Sequence, residues 1–178
     1  VINELPAVSF SGLPATMCKN ESSVSLISNQ TGGLFSGAGI TDNANGTASF
    51  NPATANTGNH VITFNYADGN GCSNTTSQSV TVYDAPDIQT IAAQSNTCPS
   101  NSFDLSTIAL VNNGAAGTTT YHALLADAQS GSNTISSTVN ATGTYYIRIT
   151  TANGCYDFEA VSVTINSCGC PNPPTANA

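Results

Sequence analysis

HVITFNYADGNGC, residues 60–72, alternates with a period of two: Ile62, Phe64 and Tyr66 fall on one side, Val61, Thr63 and Asn65 on the other. One apolar face and one more polar face predict an antiparallel strand that packs on a core and faces water on its reverse. Asp68-Gly69-Asn70-Gly71 then predicts a tight hairpin, because Asn-Gly accepts the positive φ of a type I′ turn. Cys72 opens the returning strand, whose apolar run is Val80-Thr81-Val82.

The same phrase returns as TYYIRITTANGC, residues 144–155, followed by Val163-Thr164-Ile165. From cysteine to the first residue of the Val-Thr-Val or Val-Thr-Ile run is 8 positions in both copies, and Pro6 to Cys18 and Pro86 to Cys98 are both 12. Self-similarity of this kind is read as an array of like modules before any single site is interpreted. Further strands are predicted at 7–10, 24–27, 33–35 and 47–50 in the first copy. In the second they are predicted at 88–92, 102–105, 119–125, 133–139, 144–150 and 160–165. Only 123–128 hints at a helix. Six or seven short strands per copy, separated by turn formers, predict an all-β chain of two tandem antiparallel sandwiches. The expected boundaries are a first module at 1–85, a second at 86–167, and a Cys/Pro-rich linker at 168–178 leading to a following module. Val1 and Ile2 fall in the register of a preceding module's last strand.

Composition excludes one large class of partner. Lys19 and Arg148 are the only Lys or Arg, against ten carboxylates, for a formal charge of −8. Phosphate backbones are held mainly by Lys and Arg, so nucleic acid is not an expected partner. No run of residues approaches the length of an apolar membrane span, so no membrane contact is expected within this segment.

The six cysteines predict an oxidising, extracellular compartment, since the cytosol does not maintain disulfides. Spacing alone leaves their connectivity open. Cys18 with Cys72 and Cys98 with Cys155 are the pairings that treat both copies alike and stay within each, one disulfide per module. Such loops, closing 54 and 57 positions, would each contribute about 4 kcal/mol in the chain-entropy model. Cys168-Gly169-Cys170 is read as a local disulfide or as bridges to neighbouring segments, because a zinc site would need more ligands than the distant His60 and His122.

Gly33-Leu34-Phe35-Ser36-Gly37-Ala38-Gly39-Ile40, Ala48-Ser49-Phe50-Asn51-Pro52-Ala53, and the run from Gly58 to Cys72 resemble the immunoglobulin-like repeats of giant Bacteroidetes (Flavobacteria-type) surface proteins. Gly143-Thr144-Tyr145-Tyr146 through Cys155 looks like a divergent sister. The resemblance implies immunoglobulin-like sandwiches of the kind found in gliding-motility adhesins and type IX secretion cargo. Its motifs are turns and core positions and bring no chemistry with them. The second module departs from the pattern by lacking the Gly-rich stretch after residue 33.

No nucleophile with an adjacent base is recognisable, so an enzyme is not expected; His60 and His122 read as surface or packed residues. Structural calcium is the one cofactor considered, because hard cations take oxygen ligands from Asp, Asn and carbonyls on loops. Its candidates are Asp68 with Asn70 at the hairpin, Asp42 with Asn43 and Asn45, and Glu4, Asp84 and Asp87 at the module junctions. Asn20, Asn29, Asn45, Asn74 and Asn140 begin Asn-x-Ser/Thr sequences, frequent by chance in such a composition.

These observations lead to a non-enzymatic structural or adhesive repeat segment of a cell-surface protein, a stalk or filament whose partners are neighbouring repeats or filament subunits. The alternative is a module that binds glycans or proteins at the surface.

Overall fold

The computed structural model describes residues 4–169. The chain divides between Ala85 and Pro86 into two compact units.

In the first unit the strands are β1 (Phe10–Ser11), β2 (Thr16–Cys18), β3 (Val24–Ser28), β4 (Leu34–Ser36), β5 (Ile40–Asp42), β6 (Thr47–Phe50), β7 (Gly58–Ala67) and β8 (Ser73–Tyr83). They form two four-stranded sheets, ordered β1-β3-β6-β5 and β2-β8-β7-β4. Every pairing is antiparallel except β2 with β8, which is parallel. The first sheet has the A-B-E-D order of the immunoglobulin fold and the second its G-F-C order, with β2 added beside the last strand. The alternation at 60–66 works as the sequence requires: Ile62 and Phe64 are fully buried, whereas Val61 is exposed. They join Phe10, Leu26, Phe35, Phe50, Val80 and Val82 in the core, each buried side chain contributing about 1.5–3 kcal/mol. Phe35 anchors the centre, edge-on to Phe10 at 5.3 Å and tilted against Phe64 at 4.6 Å.

Two local features have clear causes. Between β6 and β7 a single turn of helix, α1 (Pro52–Ala55), starts where the Asn51 side chain accepts from the Ala53 N–H and Pro52 fills the first position. At Gly12 the chain leaves one sheet for the other with φ +99°, and a Cβ there would overlap the Ser25 carbonyl oxygen. Only glycine fits that crossing.

The second unit is a reduced version of the same plan. Its strands are β9 (Gln94–Ser95), β10 (Phe103–Asp104), β11 (Thr118–His122), β12 (Thr138–Val139), β13 (Gly143–Thr150) and β14 (Tyr156–Thr164). They form sheets ordered β11-β13-β14-β9 and β10-β12, over a core of Leu105, Val139, Ile147, Val161 and Val163. The strand expected at 88–92 does not form; Gln89 N–H donates to the Val111 carbonyl at 2.8 Å, and the strand that reaches the sheet is Gln94–Ser95. The run at 133–139 shortens to Thr138–Val139. The hinted helix is present as α2 (Leu125–Ser130), closed by Gly131 in the left-handed conformation.

Candidate functional site: cysteines at the two poles of each unit

The hairpins β7–β8 and β13–β14 are the same turn built twice. Asp68 N–H donates to the Cys72 carbonyl at 2.9 Å and Gly71 N–H to the Asp68 carbonyl at 3.1 Å; Thr151 to Cys155 is 2.8 Å and Gly154 to Thr151 is 3.0 Å. The glycines match as well, with φ +80° at Gly71 and +85° at Gly154. Cys72 and Cys155 therefore occupy one structural position. The tip is also where each chain segment enters its unit: Asn74 Nδ2 donates to the Pro6 carbonyl at 2.9 Å, and Ile88 N–H to Asp157 Oδ2 at 2.7 Å.

The other cysteines lie at the opposite pole. Because β2 runs parallel to β8, Cys18 is in register with Tyr83, where β8 ends, and Lys19 N–H donates to the Tyr83 carbonyl at 2.9 Å. In the second unit β9 runs parallel to β14, pairing Gln94 with Val163 and Ser95 with Thr164. Asn96 then extends the ladder with its side chain: Oδ1 accepts from Asn166 N–H at 2.6 Å and Nδ2 donates to the Asn166 carbonyl at 3.0 Å. Beyond it Cys98 is disulfide-bonded to Cys168, with Cα atoms 5.4 Å apart.

This arrangement corrects both expected pairings. Cys72 is a free, half-buried thiol, so it is not bonded to Cys18, and Cys98 is bonded to Cys168 in place of Cys155. The physical reason is strand length. Eleven positions separate Cys72 from Tyr83, about 36 Å at 3.3 Å per strand residue, whereas a disulfide tolerates roughly 7 Å between Cα atoms. The same argument separates Cys155 from the β9 end of the second unit. Cys18 and Cys155 are nevertheless both disulfide-bonded. The first unit thus has no internal disulfide, and Cys168 is part of the second unit's covalent frame and not of a linker. Cys170 and the expected strand tail at Val1 and Ile2 lie outside the described residues.

The calcium candidates in the turns make backbone hydrogen bonds. Asp68 Oδ1 accepts from Asn70 N–H at 2.9 Å and from Cys72 N–H at 2.8 Å, which makes the pair a turn staple. Asp42 Oδ1 accepts from Phe35 N–H and its Oδ2 from Ala44 N–H, both at 3.0 Å, and Asn45 Oδ1 holds Thr47. Glu4, Asp84 and Asp87 are exposed. Among the described residues no three acidic, His or Cys side chains gather into a metal-holding group. His60 Nε2 lies 2.9 Å from the Asn56 carbonyl, and the buried His122 bridges the Ser132 carbonyl and the Thr120 hydroxyl.

Three polar residues with structural roles were not recognisable as such in the sequence. Asn96 sits among turn residues and looks like any other Asn. Arg148 lies opposite to Ile147 and Ile149 in the alternation, which predicts solvent, yet α2 covers it. Asp104 caps the short 3₁₀ turn Leu105–Thr107, and the Ser106 hydroxyl and N–H, with Ser137, hold its carboxyl below the ordinary value.

Residues 90–170 match the family model described as the Flavobacterium inter-domain disulphide bond domain. No curated protein matches the chain. Among solved structures the chain is similar to the insect immune protein hemolin, with 13% identity and a TM-score of 0.39 over 93% of this chain and 49% of that one. It is also similar to the Ig1-2 module of the Drosophila receptor protein tyrosine phosphatase DLAR, with 8% identity and a TM-score of 0.33 over 91% and 100%. A tri-modular endo-β-1,4-glucanase from Bacillus licheniformis gives 14% identity and a TM-score of 0.30 over 89% and 39%. The chain spans less than half the length of the hemolin and glucanase chains. The matched stretch, from before β9 to after β14, falls within the second unit and supports a Flavobacteria-type domain there.

Proposed function

We propose that the chain is a structural and adhesive segment of a protein outside the cytoplasm, in which successive domains are spliced to one another through sulfur. The observation that carries this reading is the polar placement of oxidised cysteines: Cys18 where the first unit's last strand ends, Cys155 where the second unit's chain enters. Both are disulfide-bonded while Cys72 is a free thiol and Cys98 is bonded to Cys168, and the matched family is described by a disulfide between domains. Cys18 and Cys155 are therefore assigned as splice cysteines, each bonded across a domain boundary, while Cys98–Cys168 clasps the second unit internally.

Covalent splicing suits a load-bearing role. A pull on the ends of a tandem array is carried past the folded strands by bonds that hydrogen-bond rupture does not release. The parallel β2–β8 pairing supports the same reading, because strands leaving at opposite ends are loaded in shear along their whole register. We infer that the segment belongs to a large surface adhesin or filament of the flavobacterial kind, exported by the type IX route.

Protease shaving of intact cells tests the location: fragments of this chain are expected in the supernatant without release of a cytoplasmic marker. Peptide mapping after thiol blocking tests the splice, with Cys18 and Cys155 each expected in a linkage that leaves its own unit. A mapped Cys18–Cys72 or Cys98–Cys155 bond would overturn it.

A further inference from the structure

We propose that Asn45 is a site of self-modification, in which the Gly46 nitrogen displaces the side-chain amide and leaves aspartate or isoaspartate at residue 45. Four Asn-Gly steps occur in the chain, at Asn45, Asn70, Asn113 and Asn153. Glycine has no Cβ to hinder ring closure, so the sequence ranks the four alike. The fold separates them. Gly71 and Gly154 donate their N–H groups to the Asp68 and Thr151 carbonyls at 3.1 and 3.0 Å, and Gly114 donates to Asn112 Oδ1 at 2.7 Å. Gly46 is buried, yet its N–H has no acceptor among the described residues.

A buried backbone donor without a partner is rare in a native fold. Here it removes a barrier: taking the proton from Gly71, Gly114 or Gly154 breaks a hydrogen bond, and taking it from Gly46 breaks none. The electrophile is prepared as well. Asn45 Oδ1 accepts from the Thr47 N–H at 3.0 Å and from the Thr47 hydroxyl at 2.7 Å. The direction of the second bond is set by Asn43, whose Nδ2 donates to the same hydroxyl oxygen at 2.9 Å. These two donors polarise the amide and face the oxygen that carries negative charge when its carbon is attacked. They also fold the exposed Asn45 side chain back along the chain over Gly46, so that nucleophile and electrophile are held together.

The Gly46 N–Cγ bond forms and the Asn45 Cγ–Nδ2 bond breaks. Water carries the proton lost from the Gly46 nitrogen to Nδ2, which leaves as ammonia, and the product is a succinimide ring. A second water opens the ring at Cγ to give aspartate, or at the backbone carbon to give isoaspartate with Gly46 now attached through Cγ. Either product adds a carboxylate to the loop that holds Asp42. Isoaspartate also adds a methylene to the main chain next to the Gly46 carbonyl, which accepts from the Ser28 N–H at 2.9 Å, so conversion loosens this hairpin from β3.

The test is timed peptide mapping by mass spectrometry of the chain of residues 1–178, kept folded in mildly alkaline buffer. Asn45 is expected to convert before Asn70, Asn113 and Asn153, and the four rates should converge once the chain is unfolded in denaturant. Thr47→Val, which removes the hydroxyl and keeps the shape, should slow conversion at Asn45 about fivefold, roughly the worth of one hydrogen bond; Thr47→Ser should restore it. Conversion of any other Asn-Gly step first in the folded chain overturns the inference, as does an equal lead for Asn45 in denaturant. An unchanged rate in Thr47→Val overturns it too. The ranking of the four steps needs no variant and decides the matter even if Thr47→Val fails to fold.

Discussion

Asn96 and Asn166 are joined by two hydrogen bonds in which a side-chain amide replaces a backbone peptide. The Asn96 amide faces the Asn166 N–H and carbonyl as the next residue of a parallel strand would, and it also donates to the Ser100 carbonyl. Asn96 is only 7% exposed, although Asn166 and Ser100 are exposed residues, and each of its three hydrogen bonds contributes about 1 kcal/mol. Asn96→Ala is expected to destabilise the second unit by about 3 kcal/mol. Asn96→Asp, which keeps the acceptor and loses the donor, should also destabilise it. Hydrogen exchange at the amides of β14 reads the effect; unchanged protection there would show that the amide contributes nothing.

Cys98–Cys168 closes a loop of 70 positions, for which the chain-entropy model gives about 4 kcal/mol. Replacing both residues by alanine should lower the denaturant midpoint of the second unit accordingly, with β7 and β8 amides in the first unit unaffected. Equal loss of protection in both units would mean that the bond does more than clasp its own.

The cysteine pairing also shows how far the sequence could be read. The alternation at Ile62 and Phe64, the position of the hairpin before Cys72 and the duplication were all legible from local periodicity and turn residues; the turn type was not, since Gly71 takes a positive φ but Asn70 does not, as a type I′ turn would require of both. Which cysteines meet depends on strand direction, and a parallel first strand cannot be inferred from period two. Treating the copies alike was the misleading step. Thirteen positions after Cys155 stands Cys168, and thirteen after Cys72 stands Ala85. That one difference gives the second unit an internal partner for Cys98. The hairpin cysteines were visible in the sequence, but which cysteine each position can reach required the register.

Gly12 is the corner at which the first strand changes sheets. Gly12→Ala should destabilise the first unit by more than the about 1–2 kcal/mol that a left-handed backbone costs a residue with a Cβ, because the added Cβ also meets the fixed Ser25 carbonyl oxygen. A shift of β1–β3 amide exchange, with the second unit unchanged, is the expected result. Gly71→Ala is the contrast: no atom lies within 4 Å of its Cβ position, so only the cost of φ +80° is felt.

Acid should weaken the second unit through Asp104. Hydrogen bonds from the Ser106 hydroxyl and then its N–H hold the carboxyl below its ordinary value of 3.8. A depressed folded-state pKa gives stabilisation that is complete above the unfolded value and disappears as pH falls through the folded one. Asp104→Asn should therefore flatten the stability profile below pH 3.8. At the alkaline end Tyr121 is raised above 10.0, by burial first and the Asp104 charge second. Its contribution is complete below pH 10.0 and is lost as pH rises through the folded-state value, so Tyr121→Phe should flatten that limb. Thermal melts across both ranges check the two signs separately.

Arg148 is a buried cation held by neutral groups. Its guanidinium donates from one terminal nitrogen to the Ala128 and Gln129 carbonyls at 2.6 and 3.0 Å and from Nε to the Thr150 hydroxyl at 2.9 Å. It lies 3.5 Å from the centre of the Tyr156 ring. The two carbonyls belong to the last turn of α2, where the helix dipole favours positive charge, and the ring face adds a cation–π attraction. Arginine is needed for its shape as well as its charge: a lysine ammonium cannot reach the carbonyls, the hydroxyl and the ring face together. Arg148→Lys is expected to cost about 2 kcal/mol. The loss should fall on α2 first, so the Ala128 and Ser132 amides, bonded to the Leu124 and Asp127 carbonyls, should exchange faster while those of β14 hold. A uniform loss across β13, β14 and α2 would instead place Arg148 in the global stability of the sheet and remove its assignment as the group that fastens the helix to it.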